Sequence, residues 1–166
     1  MIVIADTTPL HYLVLLNYAD ILRELYGRVI IPEAVFRELQ VDRTPARVKQ
    51  WIASRPDWLE VRRASVPHDL ALIELDPGER EAIALAENLR ADALILDDKA
   101  ARREAQRRNL WVIGTIGVLD DAAVAGLVDL PEALRRLQAA GFYLDGALVQ
   151  FLLRRHSQRI HGKTAT

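Results

Sequence analysis

Two apolar runs in this chain end in aspartate. Ile2-Val3-Ile4-Ala5 delivers Asp6, and Ala93-Leu94-Ile95-Leu96 delivers the pair Asp97-Asp98. Each run is short and aliphatic and reads as a buried strand. If both strands are central and parallel, their carboxylates emerge on one edge. Glu38 and Glu79 fall on helically spaced stretches that can lean over that edge. Four or five carboxylates in one crevice repel one another and raise some of their pKa values. A hard divalent cation removes the conflict, and an all-oxygen donor set suits Mg2+ or Mn2+. Such an ion activates water and stabilises charge on a reacting phosphoryl group. Most of these acids have a plainer reading too. Asp6 can end a strand and cap the helix that opens at Pro9. Glu79 completes a capping box with Asp76 around Pro77. Glu38 can be a solvated surface acid. The Asp97-Asp98 pair resists such a reading, because adjacent acids behind an apolar strand are costly to enclose without a counter-ion.

The elements that must position these residues alternate along the chain. After the first strand, Thr8 and Pro9 start a helix, and Asp20 starts a second that Gly27 ends. Arg28-Val29-Ile30-Ile31 is a second strand, and Pro32 opens the helix carrying Val35, Glu38 and Leu39. Thr44-Pro45 begins another helix, with Leu59-Glu60-Val61 as a short edge strand and 62–72 as a loop. Asp76-Pro77-Gly78-Glu79 announces a strong helix. The Asp97-Asp98 strand feeds a basic helix with Lys99, Arg102, Arg103, Arg107 and Arg108, and Trp111-Val112-Ile113 is a further strand. Thr115, Pro131 and Asp145 mark three closing helices, the last reaching about His156. Strands alternating with helices predict an α/β, three-layer sandwich, with a central, mostly parallel sheet flanked by helices. Ligands bind such sheets outside the carboxyl ends of the strands. We expect a single domain over 1–156 and a basic, flexible tail over 157–166.

Composition narrows the chemistry. The 166 residues are 51% hydrophobic and 27% charged, which reads as globular. Lys and Arg number 22 against 23 Asp and Glu, so the net charge of −1 excludes nucleic-acid binding by bulk basicity but leaves room for a local patch. Lys99, Arg102 and Arg103 follow the acidic edge directly and form a face suited to holding phosphates. The absence of cysteine excludes disulfides, Cys-zinc sites, iron–sulfur clusters and thiol nucleophiles. No apolar run approaches the roughly 20 residues of a membrane span, so a cytoplasmic protein is expected. No glycine-rich turn follows the first strand, which disfavours a dinucleotide-binding fold. That strand ends in one acid rather than two, which disfavours a phosphoacceptor receiver. His11 reads as an ordinary helix residue. Trp51, Trp58 and Trp111 read as core or interface.

The combined pattern resembles the PIN domain, the fold of many metal-dependent ribonucleases and of VapC-type toxins. The matching stretches are Ile4-Ala5-Asp6-Thr7-Thr8-Pro9-Leu10, Ile31-Pro32-Glu33-Ala34-Val35-Phe36-Arg37-Glu38-Leu39, Leu75-Asp76-Pro77-Gly78-Glu79-Arg80-Glu81-Ala82-Ile83, Leu94-Ile95-Leu96-Asp97-Asp98-Lys99 and Val112-Ile113-Gly114-Thr115-Ile116-Gly117. They lie within residues 1–153 and are most similar to a prokaryotic branch often assigned to toxin–antitoxin pairs. The resemblance implies an acidic quartet of Asp6, Glu38, Glu79 and Asp98, with Asp97 beside it and Thr7 hydrogen-bonding a carboxylate. It implies Mg2+ or Mn2+ held by Asp6, Asp98, Asp97 and Glu79, with the primary ligand of the Asp97-Asp98 pair left open. Glu79 stands where relatives carry an aspartate, and Leu96 where they carry Thr or Ser. The implied function is a metal-dependent endoribonuclease acting as a toxin, with RNA as substrate, a cognate antitoxin and a homodimer. Trp51, Trp58 and Tyr143 are candidates for the paired surface. The competing reading is a catalytically weak PIN-fold module that binds a protein or RNA partner.

Overall fold

The computed structural model describes residues 1–164. The chain divides into two compact units, one ending at Thr115 and one beginning at Ile116. In the first, five short strands form one sheet: β1 (Val3–Ala5), β2 (Val29–Pro32), β3 (Leu59–Arg62), β4 (Ala93–Ile95) and β5 (Val112–Ile113). Their order is β3-β2-β1-β4-β5, and every pairing is parallel. β1 lies in the middle, and Val3, Ile4 and Ala5 are all fully buried. A strand covered on both faces must be apolar at every position, which explains the unbroken aliphatic run. The chain moves outward from β1 to β2 and β3, then crosses to β4 on the other side. Strand order therefore reverses between β1 and β4, where a crevice opens at the carboxyl ends.

Seven helices connect these strands: α1 (Thr7–Leu15), α2 (Ile21–Tyr26), α3 (Glu33–Glu38), α4 (Ala46–Ala53), α5 (Leu70–Ile73), α6 (Pro77–Leu89) and α7 (Lys99–Arg107). The helix α6 organises the unit. It packs on β1, β2 and β4 and on α3 and α7. Its Ala82, Ile83, Leu85 and Ala86 join Ile4, Ile30, Leu94 and Leu96 in the apolar core. Its start is fixed by the Asp76 and Glu79 capping box with Pro77 inside the first turn. Trp58 belongs to the core at 7% exposure, with its ring 6.0 Å from that of Trp51.

Two local readings are corrected. The helix α1 begins at Thr7, so Asp6 and not Thr8 holds the cap position, with extended backbone and no capping bond from its side chain. The 62–72 stretch is not all loop, because β3 runs to Arg62 and α5 begins at Leu70. Four residues with only Leu72 fully buried give no helical period to read. Instead, arginines clamp the turn. Asp69 accepts from Ala71 N at 3.0 Å and pairs with Arg108. Arg80 donates to the carbonyls of Leu72, Ile73 and Leu75 at 3.0, 3.0 and 2.8 Å. Arg108 also pairs with Glu87 and Glu104.

The second unit contains α9 (Leu130–Ala139) and α10 (Gly146–Thr164), and α8 (Thr115–Val124) leads into it. The helix α9 buries Leu130, Ala133, Leu134 and Leu137 and packs on α10. The helix α10 continues past His156, where the apolar pattern stops. Arg155 and Arg159, one turn apart, both bond the buried Asp120, Arg159 at 2.8 Å. Ion pairing thus carries the helix on where hydrophobicity does not. Residues 165 and 166 of the expected tail lie outside the described residues. No helix among the described residues is long and apolar enough to cross a membrane.

Arg108 is the node that ties the α5 turn to α6 and α7. Replacing it with alanine leaves three carboxylates without their shared cation. Arg108→Ala should cost about 1 kcal/mol in chemical denaturation, because Asp69 and Glu87 are partly exposed and Glu104 keeps its pair with Arg107. A change within about 0.5 kcal/mol, the usual range for a plain surface substitution, would show the clamp to be dispensable.

Candidate active site

Asp6 follows β1 directly, and its N–H still bonds the Ile95 carbonyl on β4 at 3.0 Å. The residue is therefore locked at the junction where strand order reverses. It is only 4% exposed, and its Oδ1 is buried with no hydrogen-bond partner among the described residues. Burial raises its pKa to about 7; the charges of Glu79, Glu38 and Asp97 push the same way, and a backbone bond from Thr7 opposes them.

Glu38 ends α3 and is tied down by two donors. Thr7 Oγ1 donates to its Oε2, and the Gly78 N–H donates to Oε1 at 2.9 Å. Gly78 belongs to the first turn of α6, and a Cβ there would overlap the Glu38 carboxylate. With a side chain here, the Glu38 carboxylate would have to shift from its bonds to Thr7 and the Gly78 N–H, so glycine keeps that carboxylate seated. Glu79, one residue on, accepts from Asp76 N at 3.2 Å. That capping bond uses one carboxylate oxygen. Partial burial lifts the Glu79 pKa to about 7, helped by the charges of Asp98, Asp76 and Glu38 and resisted by the capping bond.

The two acids after β4 part company. Asp97 is half-buried and accepts from Thr115 N at 2.8 Å and Thr115 Oγ1 at 2.5 Å. Burial raises its pKa, while the Thr115 bonds and the Arg102 charge oppose the shift. Asp98 is exposed and caps α7, accepting from Ala101 N at 2.9 Å. Arg102 donates to the Leu96 carbonyl at 2.8 Å, so it is committed to the floor of the site. A Cβ at Gly114 would meet both Arg102 Nη1 and Asp97 Oδ1, at 2.8 and 3.1 Å. Lys99 and Arg103 remain exposed on α7.

A cleft of about 430 Å³ opens here. Asp6, Thr7, Thr8 and His11 form one wall, and Asp76, Pro77 and Glu79 another. Glu38, with Val41, Arg43 and Thr44 from the turn after α3, completes it. Asp97 and Asp98 do not line this cleft. They act on it through their charges on Asp6 and Glu79. A second depression of about 360 Å³ around Trp51 and Arg47 contains one acid, Asp20, and no comparable cluster. Sequence reasoning missed Thr115, Gly114, Arg43 and His11. Thr115 was read only as a helix cap, although its position after the strand beside β4 puts it within reach of Asp97. His11 lines the cleft half-buried, and burial lowers its pKa.

Among the described residues, no three Asp, Glu or His side chains stand as a ready-made ligand group. The carboxylates have dispersed onto backbone and hydroxyl donors. Asp6 Oδ1 is the exception, a buried carboxylate oxygen with no donor among the described residues, and such a group is costly to keep ionised. The donor set is all oxygen and mutually repelling, and by that chemistry it fits a hard divalent cation.

A protein-family model described as a PIN domain matches residues 2–158. The chain belongs to the PIN-domain family. PIN domains are generally nucleases, so the acid-lined cleft lies in a nuclease fold. The parallel α/β sheet is the PIN-like architecture expected from the sequence. A search of curated proteins finds no match to this chain.

Gly78→Ala should destabilise this PIN domain by roughly 1–3 kcal/mol, the range for overpacking a closed contact. The loss should shrink when Glu38→Ala is added, because the colliding carboxylate is then gone. Equal losses in both backgrounds would place the strain elsewhere.

The raised Asp6 pKa carries a sign. The unfolded chain ionises from the ordinary value of 3.8, while the folded chain keeps the proton until about 7. Between those values the native state binds more protons, so this residue's contribution to stability falls as pH rises. In EDTA, Asp6→Asn should therefore be more stable than wild type at pH 8. The gain is at most about 4 kcal/mol, at about 1.4 kcal/mol per unit, and should fade toward pH 4. Urea denaturation at both pH values measures it. A gain that is the same at both would remove the titration of Asp6 from the account.

Proposed function

We propose that this PIN domain is a metal-dependent endoribonuclease and the toxin of a toxin–antitoxin pair. The observation that carries the reading is the buried, unpartnered Asp6 oxygen at the strand-order reversal, among Glu38, Glu79 and Asp97. Asp6, Glu79 and the Asp97-Asp98 pair would hold Mg2+ or Mn2+, with Asp97 held in place by Thr115. A bound ion supplies a Lewis acid that makes water a better nucleophile and neutralises charge on the phosphate. Thr7 and the Gly78 N–H fix Glu38 as an acceptor in the cleft. The raised pKa of Glu79 in the metal-free site comes from burial and from the acids around it, a cost that a bound cation would lift by favouring the charged carboxylate. RNA is the substrate class, and the exposed Lys99 and Arg103 extend the basic surface beside the site.

The same reading places the protein in the cytoplasm, as a homodimer, with a cognate antitoxin that covers the cleft. Of the residues expected on a paired surface, Tyr143 is 85% exposed, Trp51 is half-buried and Trp58 is buried in the core and unavailable, while Trp111, 71% exposed, adds apolar surface for such partners. The alternative, a weakly active or inactive binding module, draws on the lack of a ready-made ligand group among the described residues.

Purified protein should cut RNA with Mg2+ or Mn2+ and stop with EDTA. Asp6→Asn should lower cleavage by roughly a hundredfold or more, beyond the loss typical for a residue that only supports a ligand. Glu79→Gln separates its two roles, since glutamine also serves in a capping box. Lost cleavage with near-normal melting marks the carboxylate as functional, and retained cleavage marks it as a cap alone. Wild-type protein that binds no divalent cation and cuts no RNA, yet binds a partner, would favour the binding module.

A further inference from the structure

The cleft presents four carboxylates, on Asp6, Glu38, Asp76 and Glu79, against one permanent cation, Arg43. A polynucleotide is a polyanion, and four acids repel it. Arg43 lies in the turn after α3, which Thr44 N closes onto the Val41 carbonyl at 2.9 Å. Thr44 Oγ1 then bonds the Glu38 carbonyl at 3.3 Å, and Lys49 Nζ bonds the Asp42 carbonyl at 3.4 Å. The turn is thus built onto the same residue that receives Thr7 and Gly78. The Arg43 side chain makes no hydrogen bond or ion pair among the described residues. Arg37, Arg80, Arg102 and Arg108 of this unit are engaged, and Arg63, Arg90 and Arg103, which like Arg43 make no hydrogen bond or ion pair among the described residues, do not line the cleft. An arginine that lines an acidic cleft on a fixed turn and pairs with none of its acids has its donors left for a ligand.

We propose that Arg43 is the phosphate anchor of the cleft. Its guanidinium binds the backbone of a single-stranded RNA beside the acids, with the planar, two-pronged geometry that suits phosphate oxygens. This rests on the nuclease reading above and assigns its substrate-binding residue. The basic helix α7 is then the secondary contact, because it does not line the cleft and Arg102 already holds the Leu96 carbonyl.

The test uses full-length Asp6→Asn protein as parent, so that bound RNA is not consumed, and a short fluorescein-labelled single-stranded RNA as probe. Adding Arg43→Gln should weaken binding about five- to twentyfold. It should also lower the slope of log affinity against log salt by about 0.7, the value for one lost phosphate contact on a single strand. Arg63→Gln, at an exposed arginine that does not line the cleft, should leave both within twofold. With otherwise wild-type protein, Arg43→Gln should raise KM and leave kcat nearly unchanged, as expected for a group that binds substrate and transition state alike. Equal losses from Arg43→Gln and Arg63→Gln would overturn the anchor and leave only general charge. RNA binding by the parent that Arg43→Gln does not alter would overturn the anchor alone. No RNA binding by the parent, with no cleavage by wild type, would overturn the nuclease reading and the anchor together.

Discussion

Burying one carboxylate at the carboxyl end of the central strand is the constraint on which the rest of this structure depends. Asp6 is held by its backbone bond to Ile95 and enclosed to 4% exposure, and its Oδ1 finds no donor among the described residues. An anionic oxygen removed from water without a partner is among the more expensive groups a fold can contain. The fold tolerates it at low pH by keeping the proton. Near and above neutrality it tolerates it at a cost that a cation would remove.

The neighbouring acids are managed differently, and the differences reveal the design of the site. Glu38 and Asp97 are pinned by specific donors, Thr7 with Gly78 in one case and Thr115 in the other. Glu79 and Asp98 serve helix starts. Asp6, Asp76 and Asp98 stand at the cap positions of α1, α6 and α7, so three helix N-termini meet the acidic edge. The partial positive charge at those ends softens the repulsion among the carboxylates. Two glycines complete the arrangement by what they lack: a Cβ at Gly78 would displace Glu38, and one at Gly114 would crowd Asp97 against Arg102.

Much of this was legible in the sequence because the strands bearing the acids are buried on both faces. Unbroken aliphatic runs ending in Asp6 and in Asp97-Asp98 announce central parallel strands, and the motif stretches around the acids carry the resemblance to the PIN domain. The capping box at Asp76-Pro77-Gly78-Glu79 was equally plain, because each residue type there has a local reason. What escaped were the contacts made across the sheet edge. Thr115 reaches Asp97 only because β5 lies beside β4, which no local pattern encodes. The clamp of α5 by Arg80 and Arg108 joins residues far apart in the chain and leaves no hydrophobic period. Arg102 and Arg103 looked alike on one basic helix, yet Arg102 turns inward onto the Leu96 carbonyl and Arg103 stays exposed. Arg43 carried no signal of its own, because its meaning comes from the acids the fold places around it.

The most direct measurement of the central claim is the ionisation of Asp6 itself, followed by carboxyl carbon NMR with and without Mg2+. The account predicts a midpoint near pH 7 in EDTA, and a fall of at least about one unit when Mg2+ is added, since a nearby cation favours the charged form. A midpoint near the ordinary 3.8 in EDTA, or one near 7 that Mg2+ does not move, would contradict it.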